Sequence, residues 1–163
     1  MEQLWSPWRM QYILGKDEGG CVFCDAFQVD PSEDREYLIL HRGDSCGVIM
    51  NLYPYNNGHL LVIPYAHQKT LEGLPSEALT EILIVMNKSL AVLRAAMNAE
   101  GFNVGLNLGK VAGAGINEHV HMHVVPRWSG DTNFITTLSA TRCIPESLRA
   151  SYDRLRSAWD ETT

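Results

Sequence analysis

Hydrophobic positions change period several times along the chain, and each change marks an element. Between Pro75-Ser76 and Gly101, Leu79, Ile82, Leu83, Met86, Leu90, Leu93 and Met97 recur at three and four residues, the spacing that lays one apolar stripe along a helix. Ser76 is placed to cap the start of that helix and Gly101 its end. Upstream, YLILH at 37–41 and GVIM at 47–50 bracket RGDS, which predicts two antiparallel strands joined by a tight turn. The segment NLYPYNNG at 51–58 is dense in turn formers, and HLLVIP at 59–64 is an apolar run of strand length. Phe102, Val104, Leu106 and Leu108 alternate with smaller or polar residues, as in a half-buried strand. Beyond a Gly-rich loop at 109–115 the alternation returns at 119–125, and Leu148, Tyr152, Leu155 and Trp159 mark a closing helix after Pro145. Trp5, Trp8, Met10 and Tyr12 predict a short opening helix or turn, and the polar stretch 28–36 predicts a surface loop. Strands, then a helix, then strands, then a helix read as an α+β fold with an antiparallel sheet. With no internal repeat and no composition break, the expectation is one domain over residues 1–163.

Composition narrows the partners. Hydrophobic residues make up 45% and charged residues 20% of the chain, the balance of a globular protein rather than a disordered one. A formal net charge of −6 argues against a broad electrostatic grip on a nucleic-acid polymer, while leaving room for a small phosphorylated ligand. No run approaches the roughly 20 apolar residues that span a bilayer, and the opening residues do not resemble a secretion signal; the expectation is a cytoplasmic protein without a membrane partner. In that compartment four cysteines are not expected to form structural disulfides. The pair Cys21-Val-Phe-Cys24 reads as a zinc half-site, a redox pair or two buried thiols, and Cys46 and Cys143 as ordinary buried thiols.

Three of the six histidines, His119, His121 and His123, fall on alternate residues of EHVHMHVVP at 118–126. On a strand they share one face, and Val120, Met122 and Val124 share the other. A lone histidine is more often a solvated or hydrogen-bonded core residue than a site. Three in a row are not a core stripe, because each ring carries a donor and an acceptor that need partners when buried. Two arrangements remain: a metal cluster that uses all three, or a division of labour around one nucleophile. The neighbouring Gly-rich loop favours the second, since its backbone N–H groups can approach phosphate oxygens closely. Loop and strand together point to phosphoryl or nucleotidyl transfer, with an imidazole attacking phosphorus.

The pattern HVHMHVV at 119–125 resembles the His-φ-His-φ-His-φ-φ motif of the histidine triad (HIT) superfamily, and the likeness runs through most of the chain. It takes in Asn51, Gly58-His59 and the segment Asn107-Leu-Gly. The stretches NLYPYNNGHLLVIPY, GFNVGLNLG and EHVHMHVVPRWSGDTNFIT, with the opening LWSPWRM, are most similar to HIT-type diadenosine tetraphosphate (Ap4A) phosphorylases of bacteria. The resemblance implies the HIT fold, an antiparallel sheet of about five strands carrying a long helix and a C-terminal helix. Residues 37–128 would form the core, and 1–27 an N-terminal segment bearing the Cys-x-x-Cys half-site. It further implies a homodimer and nucleotidyl transfer on a nucleotide or dinucleoside polyphosphate.

By the same resemblance His121 is the nucleophile, His123 bonds the phosphate oxygens or leaving group, and His59 supports the nucleophile side. Asn51 contacts ribose and Asn107 lies near the phosphates. A neutral imidazole is nucleophilic at pH 7 when a partner at its other nitrogen fixes the tautomer, and a carbonyl of the Gly-rich loop is the expected partner. The zinc-containing members take their ligands from the positions of Cys21, Cys24, His67 and His119, a closed set suited to structural Zn²⁺ rather than to catalysis. One departure stands out. Many HIT hydrolases carry Gly-Gln-Ser/Thr-Val before the triad, whereas GAGINE at 113–118 has neither glutamine nor hydroxyl and is one residue longer. Backbone N–H groups of Gly113 and Gly115 would then hold the phosphate, with Lys110 available to neutralise it. This favours orthophosphate over water as the acceptor. Arg127, Trp128, Asp131 and Asn133 are candidates to touch the second nucleotide or the acceptor, with packing equally open; Trp5, Trp8 and Arg9 are read as structural or dimer-interface residues.

Overall fold

The computed structural model describes residues 20–132 and 144–162. The expectations for Trp5, Trp8, Arg9, Met10, Tyr12, Asn133 and Cys143 lie outside them. Five strands, β1 (Ile39–Arg42), β2 (Cys46–Met50), β3 (Leu60–Pro64), β4 (Gly101–Leu106) and β5 (Met122–Arg127), pair antiparallel in the order β1-β2-β3-β5-β4. Helix α1 (Val22–Gln28) precedes the sheet, α2 (Ser76–Met97) joins β3 to β4, and α3 (Leu148–Glu161) closes the described chain. The expected α+β architecture is the one observed.

Register decides what each face holds. The pairs Val48↔Val62, Val62↔Met122 and Leu106↔Met122 line one face, and α2 packs on it from behind β2, β3 and β5. Ile49↔Leu61, Leu61↔His123 and Gly105↔His123 line the other, where α1 lies with Phe23 and Ala26 buried. Gly47 is required there: a Cβ at this position would meet the Phe27 ring at 2.3 Å. The RGDS turn forms as expected, with the Gly43 N–H bonded to the Cys46 carbonyl. It is pinned from α2 by the Glu81 carboxylate, which accepts the N–H groups of Asp44 and Ser45 at 2.7 Å each.

The sheet's two edges differ. β1 is covered by α3, whose Tyr152 hydroxyl donates to the Ile39 carbonyl and whose Arg156 guanidinium donates to that of Leu40. β4 is the open edge: Asn103, Val104 and Gly105 are exposed, so the expected half-buried strand is less covered than its alternation implied.

Local details correct the sequence reading at five points. Helix α2 buries Ala78, Ile82, Val85, Ser89, Val92 and Leu93, while Leu79, Met86, Leu90 and Met97 are half-buried beside the core and Leu83 is 55% exposed. The stripe is thus turned by about one position, because β-branched Val85 and Val92 fill the sheet side. Ser76 is the first helical residue and makes no side-chain cap; Pro75 precedes it in an extended conformation. The helix ends at Asn98, in the left-handed region at φ 52° with its N–H on the Arg94 carbonyl, and Gly101 opens β4. The first strand begins at Ile39 rather than Tyr37, because Leu38 has φ 58° and the pairing slips between Ile39 and His41. Finally, α1 was not foreseen in the sequence.

Candidate active site and metal cluster

The three alternating histidines straddle the start of a strand. β5 begins at Met122; before it the backbone leaves the ladder, and the Val120 N–H donates to the Gln68 carbonyl instead. His119 is 1% and His121 8% exposed, and their rings flank Phe23 of α1 at 5.6 and 5.0 Å between centroids. Phe23, between the two cysteines, therefore packs against both imidazoles.

His119 faces away from the cavity. Its Nδ1 lies 3.2 Å from Cys21 Sγ and 3.6 Å from Cys24 Sγ, and Cys24 Sγ is 3.3 Å from His67 Nδ1. The four donor atoms lie within 4.8 Å of one another. Around a tetrahedral zinc with Zn–S about 2.3 Å and Zn–N about 2.0–2.1 Å, sulfur and nitrogen sit about 3.5 Å apart, so these spacings fit a four-coordinate metal. The outer nitrogen of His119 is also held, with Nε2 2.7 Å from the buried carbonyl of Pro64. Such a support fixes a metal-binding imidazole in orientation and tautomer.

His121 is turned the other way round. Its Nδ1 lies 2.9 Å from the carbonyl of His119. A carbonyl only accepts, so the proton sits on Nδ1 and Nε2 carries the lone pair. The partner is thus the chain two residues back, and not the Gly-rich loop that the sequence suggested. His59 is hydrogen-bonded to His123. The Tyr55 N–H, 3.0 Å from His59 Nδ1, and the Asn51 amide, 3.2 Å from it, make that nitrogen an acceptor. His59 Nε2–H then donates to His123 Nδ1 at 3.0 Å, which leaves the proton of His123 on Nε2; Asn107 Nδ2, itself a donor, lies 3.4 Å from that nitrogen and makes no bond to it in this tautomer. The chain of bonds sets one tautomer at each ring.

Burial keeps these rings neutral. It pushes His59 down to about 3, helped by the nearby imidazoles of His123 and His121, and His123 down to about 4, with His121 adding to the effect. Burial also lowers His121, against the opposing pull of the His119 carbonyl. At pH 7 His121 therefore presents an unprotonated Nε2.

His121 lines a cavity of 620 Å³ on the α1 side of the sheet, ample for a nucleotide. Asn51, Tyr53, Tyr55, Leu61, Gly115 and Ile116 line it with His121 and His123. Asn51 holds the neighbouring turn by accepting the Tyr53 N–H at 2.9 Å. Gly113, at φ 88°, and Lys110 are exposed in the turn after β4 and are not among the lining residues. Arg127 and Asp131 form a bidentate pair, Nε to Oδ2 at 2.6 Å and Nη2 to Oδ1 at 2.9 Å, and the Trp128 indole donates to the Met97 carbonyl. Tyr55 escaped the sequence reading: its ring stacks on His123 at 5.5 Å and 16°, but it lies in a turn-rich stretch with no period to flag it.

Comparison with known proteins agrees with this geometry. The HIT domain model matches residues 33–130. The chain is 39% identical over 165 aligned residues to a protein named AP-4-A phosphorylase from Mycobacterium tuberculosis, covering 98% of this chain and 85% of that one. It is 29% identical over 111 residues to an adenosine 5'-monophosphoramidase of Candida albicans, covering 66% of this chain and 70% of that one. Among solved structures, a Zn-bound histidine triad family protein from Mycobacterium smegmatis superposes with a TM-score of 0.70 at 30% identity, over 88% of this chain and 95% of that one. The alternating imidazoles, the sheet order and these matches agree, and the chain belongs to the histidine triad (HIT) family.

Proposed function

We propose that the protein is a nucleotidyltransferase that cleaves Ap4A with orthophosphate to give ADP and ATP. The observation that carries this reading is the bond from His121 Nδ1–H to the His119 carbonyl, which aims a bare Nε2 into the cavity of a chain 39% identical to an AP-4-A phosphorylase. Nε2 attacks the α-phosphorus; an N–P bond forms, the bridging P–O bond breaks and ATP leaves. His123, oriented by His59, supplies Nε2–H to the phosphate oxygens or the departing oxygen. Orthophosphate then attacks the adenylyl-histidine and takes AMP as ADP, restoring the ring. A covalent intermediate divides one difficult displacement into two.

In this reading Asn51 contacts the ribose hydroxyls, Asn107 a phosphate oxygen beside His123, and the Gly115 N–H the α-phosphate; Gly113, expected beside it, gives its N–H to the Lys110 carbonyl instead. Lys110 neutralises the outer phosphates from its exposed turn. Cys21, Cys24, His67 and His119 would hold Zn²⁺ as a closed structural ligand set, as the donor spacings support. Bound there, the metal ties α1 and the segment after β3 to the residue that carries the acceptor for His121. A homodimer is the assembly we infer, supported by the open β4 edge; its check is sedimentation. A cytoplasmic location is the one we infer, since the Cys-x-x-Cys pair is arranged with two histidines as for a metal. Among the described residues no helix is long and apolar enough to cross a membrane.

Incubation with Ap4A in the presence and absence of orthophosphate tests the reading. ADP and ATP formed only with phosphate support it. AMP and ATP without phosphate would assign water as acceptor, a hydrolase built from the same residues and favoured by the likeness to a monophosphoramidase. No cleavage in either arm rejects both.

A further inference from the structure

A second cavity adjoins the one at His121. It measures 490 Å³ and is lined by Pro54, Tyr55, Asn103, Val125 and Arg127, within the ordinary size of ligand pockets, about 300–1,000 Å³. Tyr55 lines both cavities and is their common wall. Register places His123, Val125 and Arg127 of β5 on one face with Gly105, Asn103 and Gly101 of β4, so the second cavity continues the face that carries His123. Along β5, His123 and Arg127 are two side-chain repeats apart, about 13 Å.

Beside His123 the sheet floor is bare. Gly105 pairs with His123, and a Cβ added there would meet nothing within 4 Å. Neither packing nor a left-handed backbone requires glycine at this position, and a glycine inside a strand often marks the close approach of another molecule. The one charged lining residue of the far cavity, Arg127, is compensated. Arg127 is paired bidentately with Asp131 and gives Nη1–H to Asn103 Oδ1 at 2.8 Å. Its charge is thereby offset and its guanidinium plane held in place, and with Oδ1 occupied Asn103 has its Nδ2 donors to offer. A neutralised guanidinium plane beside an aromatic ring suits an uncharged planar ring better than a phosphate.

We propose that this second cavity receives the base of the second nucleoside of a dinucleoside polyphosphate, whose phosphate chain crosses over Gly105. The proposal rests on the reading of His121 as the nucleophile toward such substrates. Tyr55 and Arg127 form the walls against which the base stacks, and Asn103 donates to its edge.

The full-length protein tests this with two substrates. Ap4A uses both cavities, whereas exchange of labelled orthophosphate into ADP reverses the second half-reaction and uses only the first. In Gly105→Leu, which blocks the track, the ratio of KM for Ap4A to KM for ADP rises about tenfold, as expected for the loss of one stacked base. Asn103→Ala, at an exposed position of the edge strand, raises the ratio a few-fold and covers the case in which the leucine variant fails to fold. An unchanged ratio in a variant active with ADP overturns the second subsite alone, as does an equal loss with both substrates. A wild-type protein that neither cleaves Ap4A nor exchanges phosphate overturns the nucleophile assignment and this proposal with it.

Discussion

His119 and His121 are two residues apart, both buried, and hold opposite nitrogens in reserve. His119 gives Nε2 to the Pro64 carbonyl and turns Nδ1 to the two thiols. His121 gives Nδ1 to the His119 carbonyl and turns Nε2 to the cavity. Chemistry that looks alike in sequence is thus divided by which ring nitrogen meets a backbone oxygen. Each carbonyl accepts a proton and so determines the lone pair that remains for work. One ring faces two thiols; the other lines 620 Å³ of cavity.

Substituting each side in turn should separate the two roles. The largest effect belongs to His121→Ala, which removes the nucleophile and should lower turnover of Ap4A on the order of 10⁴- to 10⁶-fold while the metal content and melting temperature stay close to wild type. Acid-labile labelling of the protein by radioactive dinucleotide should vanish with it. A variant that still forms the covalent adduct would place the nucleophile elsewhere, with His123 the next ring to test.

His59→Ala comes next. It deprives His123 of the donor at its Nδ1, so the proton of His123 is no longer assigned to Nε2, and turnover should fall about 10²-fold, the scale of a lost proton-transfer arrangement. Glutamine in its place offers an amide donor at similar reach and should recover part of the rate. Equal rates in His59→Ala and His59→Gln would overturn the role of His59 as the donor to His123.

His119→Ala inverts the pattern. The ring is lost but the backbone carbonyl that holds His121 remains, so zinc content should fall below one ion per chain and the melting temperature by more than about 5 °C. Turnover at a temperature where the variant stays folded should drop only about tenfold, through loosening of the carbonyl. Elemental analysis and a thermal scan read the first two, and Cys24→Ser should reproduce them. Metal retained at full occupancy in both variants would dissolve the distinction between the two rings.

How much of this was legible in the sequence follows from how local each cause is. The spacing of the three imidazoles, the Cys-x-x-Cys pair and the turn chemistry at RGDS are written within a few residues, and the structure brings the cysteines, His67 and His119 together as expected. The partner of His121 was missed because β5 begins only at Met122; two residues earlier the chain follows Pro64 and Gln68, a nonlocal event. Helix α1 was missed because its seven residues bury only Phe23 and Ala26, too few for a period to register. The phase of α2 was misread because Leu83 and Ile84 are apolar yet exposed, at 55% and 63%, while the buried Ser89 satisfies its hydroxyl on the Val85 carbonyl. Sequence alone also hides that β4 is an edge, since strand order depends on the crossover through α2.

The smallest effect concerns pH and separates the two ends of the site once more. Burial holds His59 near 3 and His123 near 4 in the folded protein, whereas in the unfolded chain a histidine titrates near 6.5. Below about pH 6.5 the unfolded chain therefore binds protons that the folded protein refuses, and stability falls with pH until the folded values are reached. Above that window these two groups add no pH dependence. Acidification also protonates the zinc ligands, so the wild-type slope alone does not assign the loss to the catalytic end. His59→Gln removes one of the two buried rings and leaves the four metal ligands intact, and the metal contribution cancels in the comparison. Urea unfolding at pH 7.5 and 5.5 should show wild type losing about 1 kcal/mol more than His59→Gln over that interval. Parallel losses would mean that His59 is protonated in the folded protein well above pH 3, and that the chain of bonds from Tyr55 through His59 to His123 runs with a different set of protons.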